Sequence, residues 1–252
     1  AKFSSANALI SSTYYGGSDY DECTGIILDA SANVFVSGIT GSTNLPVLAL
    51  AGAYNQATNG GGGLWDVFVL KFNSAGVRQW ATYYGGNNME LNDIQLEHRE
   101  RGIEVDMSNG DVFITGLTSS ANFPLLNPGG GSYFRNTFAS PGASDNFIVQ
   151  FSNTGDLIWA TLTGASDLGG DTDAGLAVDL NSCLFVTGEW RGNGSNGLAN
   201  PGGGAHYIGT NSGGDDSFFM KFCSAAALPI EFLSFSATCD QNRVTLSWST
   251  AS

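Results

Sequence analysis

The chain has 252 residues, of which 42% are hydrophobic, and this is enough for a packed core in one large or two smaller domains. Nine basic residues against 23 acidic residues give a net charge of −14. Such a charge repels nucleic-acid phosphates and anionic membrane surfaces, so we expect neither as a partner. We also expect no membrane insertion, because no stretch approaches the roughly 18 consecutive apolar residues of a spanning segment.

In chain order, the sequence repeats three motifs with a period of roughly seventy residues. The 35 glycines and the 13% of charged residues favour short strands joined by turns, and each repeat divides into four strand-like runs. A fixed period means that each unit buries its apolar face on a neighbouring copy. The motifs are Tyr-Tyr-Gly-Gly at 14–17 and 83–86, Val-Phe-Val-Ser-Gly-like runs at 34–38, 112–116 and 184–188, and Asp-x-Phe runs at 66–72, 145–151 and 216–222.

Four antiparallel strands per unit predict an all-β fold made of β-propeller blades. Residues 1–15 form the end of one blade, and residues 25–84, 102–163 and 175–223 form three more, the last without its fourth strand. About three and a half blades are fewer than the usual four to eight, so we expect this chain to be part of a larger propeller. A β-sandwich with accidental internal similarity is the alternative for residues 1–227.

After Ala227 the repeat motifs end. Residues 228–237 and 244–248 alternate apolar and polar side chains, which predicts two strands of a second, β-sandwich-like domain within residues 228–252. The first residues, Ala1 to Ala6, match the middle of a repeat near Lys71, so we expect a longer polypeptide whose targeting segment lies elsewhere.

The repeat motifs resemble the SBBP (beta-propeller) repeat family of bacterial secreted proteins over about residues 1–223. Residues 228–252, with Leu-Pro-Ile-Glu-Phe-Leu-Ser-Phe and Leu-Ser-Trp-Ser-Thr-Ala-Ser, are similar to the segment before the sorting domain of type IX-secreted Bacteroidetes proteins. The resemblance implies export to the cell surface or beyond. It carries no catalytic residues with it.

Acidic residues cluster in the connections between consecutive blades. Asp19 and Asp21 in the first connection, and Asp171 and Asp173 in the third, predict oxygen ligands for Ca²⁺. The alternative is that these carboxylates cap their turns by accepting hydrogen bonds from local backbone N–H groups. No other cofactor is expected.

The second connection, residues 87–101, is longer and more highly charged than the others. Insertions in repeat proteins often lie on the binding face, which predicts a partner-binding protrusion; a tolerated surface insertion is the alternative. Its candidate interaction residues are Glu90, Asp93, Glu97, His98, Arg99 and Arg101.

Two cysteines occupy repeat positions that should meet. Cys183 precedes the second strand of its blade and Cys223 follows the third, and antiparallel neighbours bring those ends together. We therefore predict a Cys183–Cys223 disulfide, which suits an oxidising, extracellular setting.

These features favour a non-enzymatic, secreted or surface-displayed propeller module for adhesion, protein interaction or assembly of a surface structure. Its partner would be a protein or a carbohydrate at the cell surface. An extracellular glycan-degrading enzyme is one alternative, because paired carboxylates can hydrolyse glycosidic bonds. A self-assembling structural subunit that pairs through an open sheet edge is another.

Overall fold

A computed structural model describes residues 1–91, 102–138, 144–163, 172–191, 208–209, 215–223, 232–240 and 243–250. Every regular element in these ranges is a β-strand, and the strands form antiparallel sheets, which confirms the predicted all-β class. Contacts divide the chain into two compact units, Ala1–Phe222 and Cys223–Ser252. None of the described segments is a helix long and apolar enough to cross a membrane.

In the described ranges, the first unit contains a short hairpin and three sheets, and the second unit contains one hairpin. The N-terminal hairpin consists of β1 (Lys2–Phe3) and β2 (Leu9–Ser11). The first sheet has the order β3 (Asp21–Leu28), β4 (Val34–Thr40), β5 (Asp66–Phe72) and β6 (Arg78–Tyr84). In the second sheet, β7 (Glu90–Leu91) and β8 (Ile103–Val105) both pair with β9 (Val112–Thr118), which is followed by β10 (Asp145–Phe151) and β11 (Leu157–Leu162). The third sheet has the order β12 (Thr172–Val178), β13 (Cys183–Arg191) and β14 (Asp215–Cys223). The hairpin of the second unit consists of β15 (Phe232–Asp240) and β16 (Arg243–Thr250).

Each repeat closes its first turn with an aspartate. Asp29 Oδ1 accepts hydrogen bonds from the backbone N of Ser31 (2.9 Å) and Asn33 (2.8 Å). Asp179 Oδ1 accepts equivalent bonds from Asn181 (2.8 Å) and Cys183 (2.9 Å). A short acidic side chain that satisfies the turn N–H groups ends one strand and starts the next.

The third and fourth strands of a repeat pair with the same irregularity each time. Lys71 pairs with Trp80 and Phe72 with Arg78, with a register shift between them. The N-terminal hairpin has this register too, since Lys2 pairs with Ser11 and Phe3 with Leu9 across the same shift. Residues 2–11 therefore pair as residues 71–80 do, and the sequence similarity extends to Tyr15 and Tyr84.

The core lies between the sheets because alternate side chains of a strand point to opposite faces. Val67 and Val69 of the first sheet pack in one buried cluster with Phe147 and Val149 of the second sheet. On the far side of the second sheet, Ile148 packs in another buried cluster with residues of the third sheet. Consecutive sheets thus stack face to face and bury equivalent positions at each interface.

Candidate functional site

An acidic residue follows each Tyr-Tyr-Gly-Gly turn. Its carboxyl group accepts hydrogen bonds both from this turn and from residues at the end of the second strand of the following sheet. After the first turn, Asp21 Oδ2 accepts hydrogen bonds from Gly17 N (2.6 Å) and Ser42 Oγ (3.0 Å), and its Oδ1 accepts one from Thr40 Oγ1 (2.5 Å). Ser42 N donates in turn to Thr40 Oγ1 (3.0 Å). Asp21 is therefore held by three donors from two separate segments.

The second turn repeats this arrangement with a glutamate. Glu90 Oε2 accepts a hydrogen bond from Gly86 N (3.1 Å), and its Oε1 accepts one from Thr118 Oγ1 (2.9 Å). Ser120 N donates to Thr118 Oγ1 (3.0 Å). The repeated Tyr-Tyr-Gly-Gly, acidic and Gly-x-Thr-x-Ser residues thus form one hydrogen-bonded unit, which we call the acidic junction.

Glycine is required at the junction because the carboxyl groups approach the backbone closely. A Cβ atom on Gly85 would lie 2.4 Å from Glu90 Oε2 and 2.6 Å from Asp66 Cγ, and a Cβ on Gly17 would lie 2.6 Å from Ser42 Cβ. Distances below 3.0 Å exclude any side chain unless the surroundings move.

Two buried carboxyl groups meet at the second acidic junction. Asp66, at the start of β5, and Glu90 are both fully buried. Asp66 Oδ2 accepts hydrogen bonds from Gly60 N (2.8 Å) and Gln56 Nε2 (2.9 Å). Burial raises the pKa of Asp66 to about 6 and that of Glu90 to about 8, and repulsion from Asp66 adds to the shift of Glu90. Removing both carboxyl groups from water disfavours their charged forms, so the pair retains a proton near neutral pH.

We expect the free energy of unfolding to fall as the pH rises from about 4 to about 8. The folded chain keeps protons that the unfolded chain has already released in this window, so a rising pH favours the unfolded state. Between pH 5 and 8, the free energy of unfolding should fall by roughly 2 kcal/mol less in Glu90→Gln than in the unaltered chain. Urea titrations at several pH values measure this pH dependence of the free energy of unfolding. The control variant is Glu104→Gln, which lies in the same sheet. Equal pH slopes for the two variants would contradict this account of the pair.

The acidic residues predicted to bind Ca²⁺ are only partly described. Asp19 is exposed, and its Oδ1 accepts a hydrogen bond from Tyr20 N (2.7 Å), while Asp21 is held within the first junction. Asp171 and the side chain of Asp173 lie outside the described residues. In the described part of the chain, no three His, Cys, Asp or Glu residues are grouped as a metal site would require. Asp21 thus acts as the turn cap that was the alternative interpretation, and Ca²⁺ binding stays a prediction.

The structure corrects the predicted role of Glu90. Its carboxyl group is fully buried in the second acidic junction, so it is not part of an exposed binding surface. The sequence signal for this role was the equivalent spacing of Asp21 and Glu90 after their Tyr-Tyr-Gly-Gly turns. The other predicted interaction residues, Asp93, Glu97, His98, Arg99 and Arg101, lie outside the described residues.

An aromatic pair lies at the surface beside the first junction. The rings of Tyr20 and Trp65 stack with centroids 5.5 Å apart, and Tyr20 is 45% exposed. Tyr20 Oη donates to Glu22 Oε2 (2.5 Å). A Cβ on Gly41 would lie 3.1 Å from Trp65 Cδ1 and 3.7 Å from Asp19 Cγ, so a second carboxyl group lies close to the pair. We call Asp19, Tyr20, Glu22 and Trp65 the aromatic edge.

The predicted disulfide is confirmed, since Cys183 and Cys223 are disulfide-bonded. It joins the first residue of β13 to the last residue of β14, two strands that are neighbours in the third sheet. Cys23 is exposed and has a free thiol.

No family model matches this chain, and no curated protein matches it. The resemblance to SBBP repeats therefore rests on the motifs of the sequence.

Proposed function

We propose that this chain is part of a β-propeller that serves as a non-enzymatic interaction module outside the cell. The observation that carries the proposal is the stacking of consecutive sheets through equivalent faces. Repeated four-stranded sheets that pack in this way are typical of propeller blades, whose loops provide binding surfaces. The resemblance to secreted SBBP repeats supports the same architecture.

The chemistry of the chain supports an extracellular location. The Cys183–Cys223 disulfide is a bond that persists in oxidising compartments. The similarity of residues 228–252 to the segment before a type IX sorting domain supports export to the outer cell surface. The net charge of −14 favours a partner other than nucleic acid or an anionic membrane.

The aromatic edge is the surface that we propose for the partner. Tyr and Trp are enriched among residues that dominate binding, because each combines a large apolar area with a polar group. The carboxylates of Asp19 and Glu22 beside the rings can accept hydrogen bonds from sugar hydroxyls or from protein N–H groups. The buried carboxyl groups at the second junction, by contrast, are enclosed by protein donors, which favours a structural role over glycan hydrolysis.

We expect Trp65→Ala to weaken partner binding at least ~30-fold, the effect of losing a binding hot spot. The chain would be tested against immobilised polysaccharides and against surface proteins displayed on cells, so that the two classes of partner are distinguished. Leu180→Ala, at an exposed turn of the third sheet, is the matched control. Equal binding by both variants would show that the aromatic edge does not bind the partner.

The enzymatic alternative predicts a different result in the same preparation. A glycan-degrading enzyme would release reducing ends from the polysaccharides, and Glu22→Gln or Glu90→Gln would abolish the release. Product formation that depends on these residues would overturn the non-enzymatic proposal.

A further inference from the structure

The amine of Lys71 is a buried group that connects the first two sheets. Lys71 belongs to β5 and is only 6% exposed. Its Nζ atom lies 5.0 Å from the centroid of the buried Phe35 ring. Across the interface, Nζ donates to the backbone O of Asn153 (2.9 Å) and also to the side-chain Oδ1 of the same residue, in the turn after β10. An amine of one sheet and a carboxamide of the next are thus in direct contact.

The same contact recurs at the preceding interface without the carboxamide. Lys2 of the N-terminal hairpin is equivalent to Lys71, and its Nζ donates to Ser74 O (3.2 Å). Ser74 and Asn153 both lie two residues after the third strand of their sheets. A backbone oxygen is therefore a sufficient acceptor for this lysine, and serine offers no acyl group to an amine. The side chain of Asn153 adds chemistry that the repeated contact does not require.

Burial of Lys71 favours the form of its amine that can react. Removal of the ammonium group from water lowers the pKa of Lys71, although attraction by Asp29 opposes this shift. The neutral amine carries the lone pair that a nucleophile needs. The rings of Phe35 and Trp80, with centroids 6.2 Å apart, are both buried at this interface. The amine therefore competes with little water for the carboxamide.

Asp111 supplies a carboxyl group beside the carboxamide. It directly precedes β9, it is 9% exposed, and its carboxyl group interacts with the backbone N–H of Asn153. Asn109 connects the two side chains, because Asn153 Nδ2 donates to Asn109 O (3.4 Å) and Asn109 Nδ2 donates to Asp111 Oδ2 (3.1 Å). Burial raises the pKa of Asp111, so this carboxyl group holds a proton more tightly and can deliver it to a leaving nitrogen.

We propose that Lys71 and Asn153 form an intramolecular isopeptide bond between the first and second sheets. The lone pair of the neutral Nζ attacks Cγ of Asn153, and an electron pair of the C=O bond moves to Oδ1. When the C=O bond reforms, the bond from Cγ to Nδ2 breaks and its electron pair leaves with the nitrogen. Asp111 gives a proton to this nitrogen and takes one from Nζ. One ammonia molecule is released, and nothing is oxidised or reduced.

The product is a covalent bond across an interface of the sheet stack. It closes a loop of about eighty residues, from β5 to the turn after β10. An amide bond persists under reducing conditions, in which the Cys183–Cys223 disulfide is opened. The inference concerns how the first two sheets are held together, and it is independent of the proposed binding by the aromatic edge.

Mass spectrometry of the reduced full chain tests the proposal. We expect a mass lower than that of the sequence by one ammonia molecule, and a proteolytic digest should contain a branched peptide that joins Lys71 to Asn153. Asn153→Ser should have the full mass of its own sequence, because serine keeps the backbone acceptor and removes the acyl group. A succinimide at Asn109 would give the same loss of mass without the branched peptide. That result, or the full sequence mass in the unaltered chain, would overturn the proposal.

Two further variants distinguish a covalent bond from a hydrogen bond. Lys71→Arg keeps the positive charge and the donors, but its guanidinium group stays protonated, so we expect no loss of ammonia. Asp111→Asn keeps the shape of the side chain and should slow bond formation at least ~100-fold, as measured by the mass of chains sampled at intervals after cell-free synthesis. Glu104→Gln, in the same sheet, is the control and should react as the unaltered chain does. An unchanged rate in Asp111→Asn would overturn the role of Asp111 in proton transfer.

Discussion

Phe151→Ala is expected to lower the free energy of unfolding of the first unit by about 3–5 kcal/mol. The Phe151 ring is fully buried between the first two sheets, and its centroid lies 5.4 Å from Tyr84, 5.9 Å from Tyr54 and 6.1 Å from Trp80. Removing it loses the transfer free energy of the ring and leaves a cavity between two packed sheets. Urea denaturation followed by tryptophan fluorescence measures the loss.

Two isoleucines at one repeat position provide the matched comparison. Ile103→Ala should cost about 2–5 kcal/mol, because Ile103 is buried against the first sheet. Ile26→Ala should cost less than about 1 kcal/mol, because its side chain is half exposed. Equal losses at the two positions would mean that burial between sheets does not determine the stability of the stack.

Removing the disulfide by Cys183→Ser with Cys223→Ser is expected to lower stability by about 3–4 kcal/mol. The bond closes a loop of about forty residues, and opening it increases the conformational entropy of the unfolded chain. The third sheet should be most affected, because β13 and β14 are joined at their ends by this bond. Thermal melting with and without a reducing agent measures the effect.

The control for the disulfide is Cys23→Ser, which removes an exposed free thiol. Its melting temperature should stay unchanged, and it should remain sensitive to the reducing agent. The double serine variant, in contrast, should have the same lowered melting temperature in both conditions. A double variant that melts like the unaltered chain would show that the bond adds no stability.

The local pattern of the sequence was sufficient to predict the strands. Strand-like runs such as 66–72 are strands at those positions, and the repeat position of Cys183 and Cys223 correctly predicted their bond. Both predictions depend on the positions of strands within the repeat, and these positions are the same in every copy. The buried role of Glu90 was missed, although its spacing after Tyr-Tyr-Gly-Gly equals that of Asp21, because the charge of residues 87–101 assigned it to a surface insertion.

The candidate site depended on which side chains meet in space. Tyr20 and Trp65 are separated by more than forty residues, and only the pairing of β3 through β4 to β5 brings them together. Tyr54 lies in the long loop between β4 and β5, and it is partly buried against the core between the first two sheets. The burial of a loop residue depends on which sheets the loop packs against, and the local sequence does not specify those sheets.

The sequence by itself determined the repeat, the antiparallel strands and the disulfide, because periodicity and turn residues act over a few neighbouring positions. Only the tertiary structure decided that Asp66 and Glu90 meet as a buried carboxyl pair, and which apolar faces are covered and which are exposed. Equivalent residues such as Ile26 and Ile103 have the same local pattern, and they differ only in whether another sheet lies against them. Burial is a property of the neighbouring sheet, so the local pattern cannot specify it.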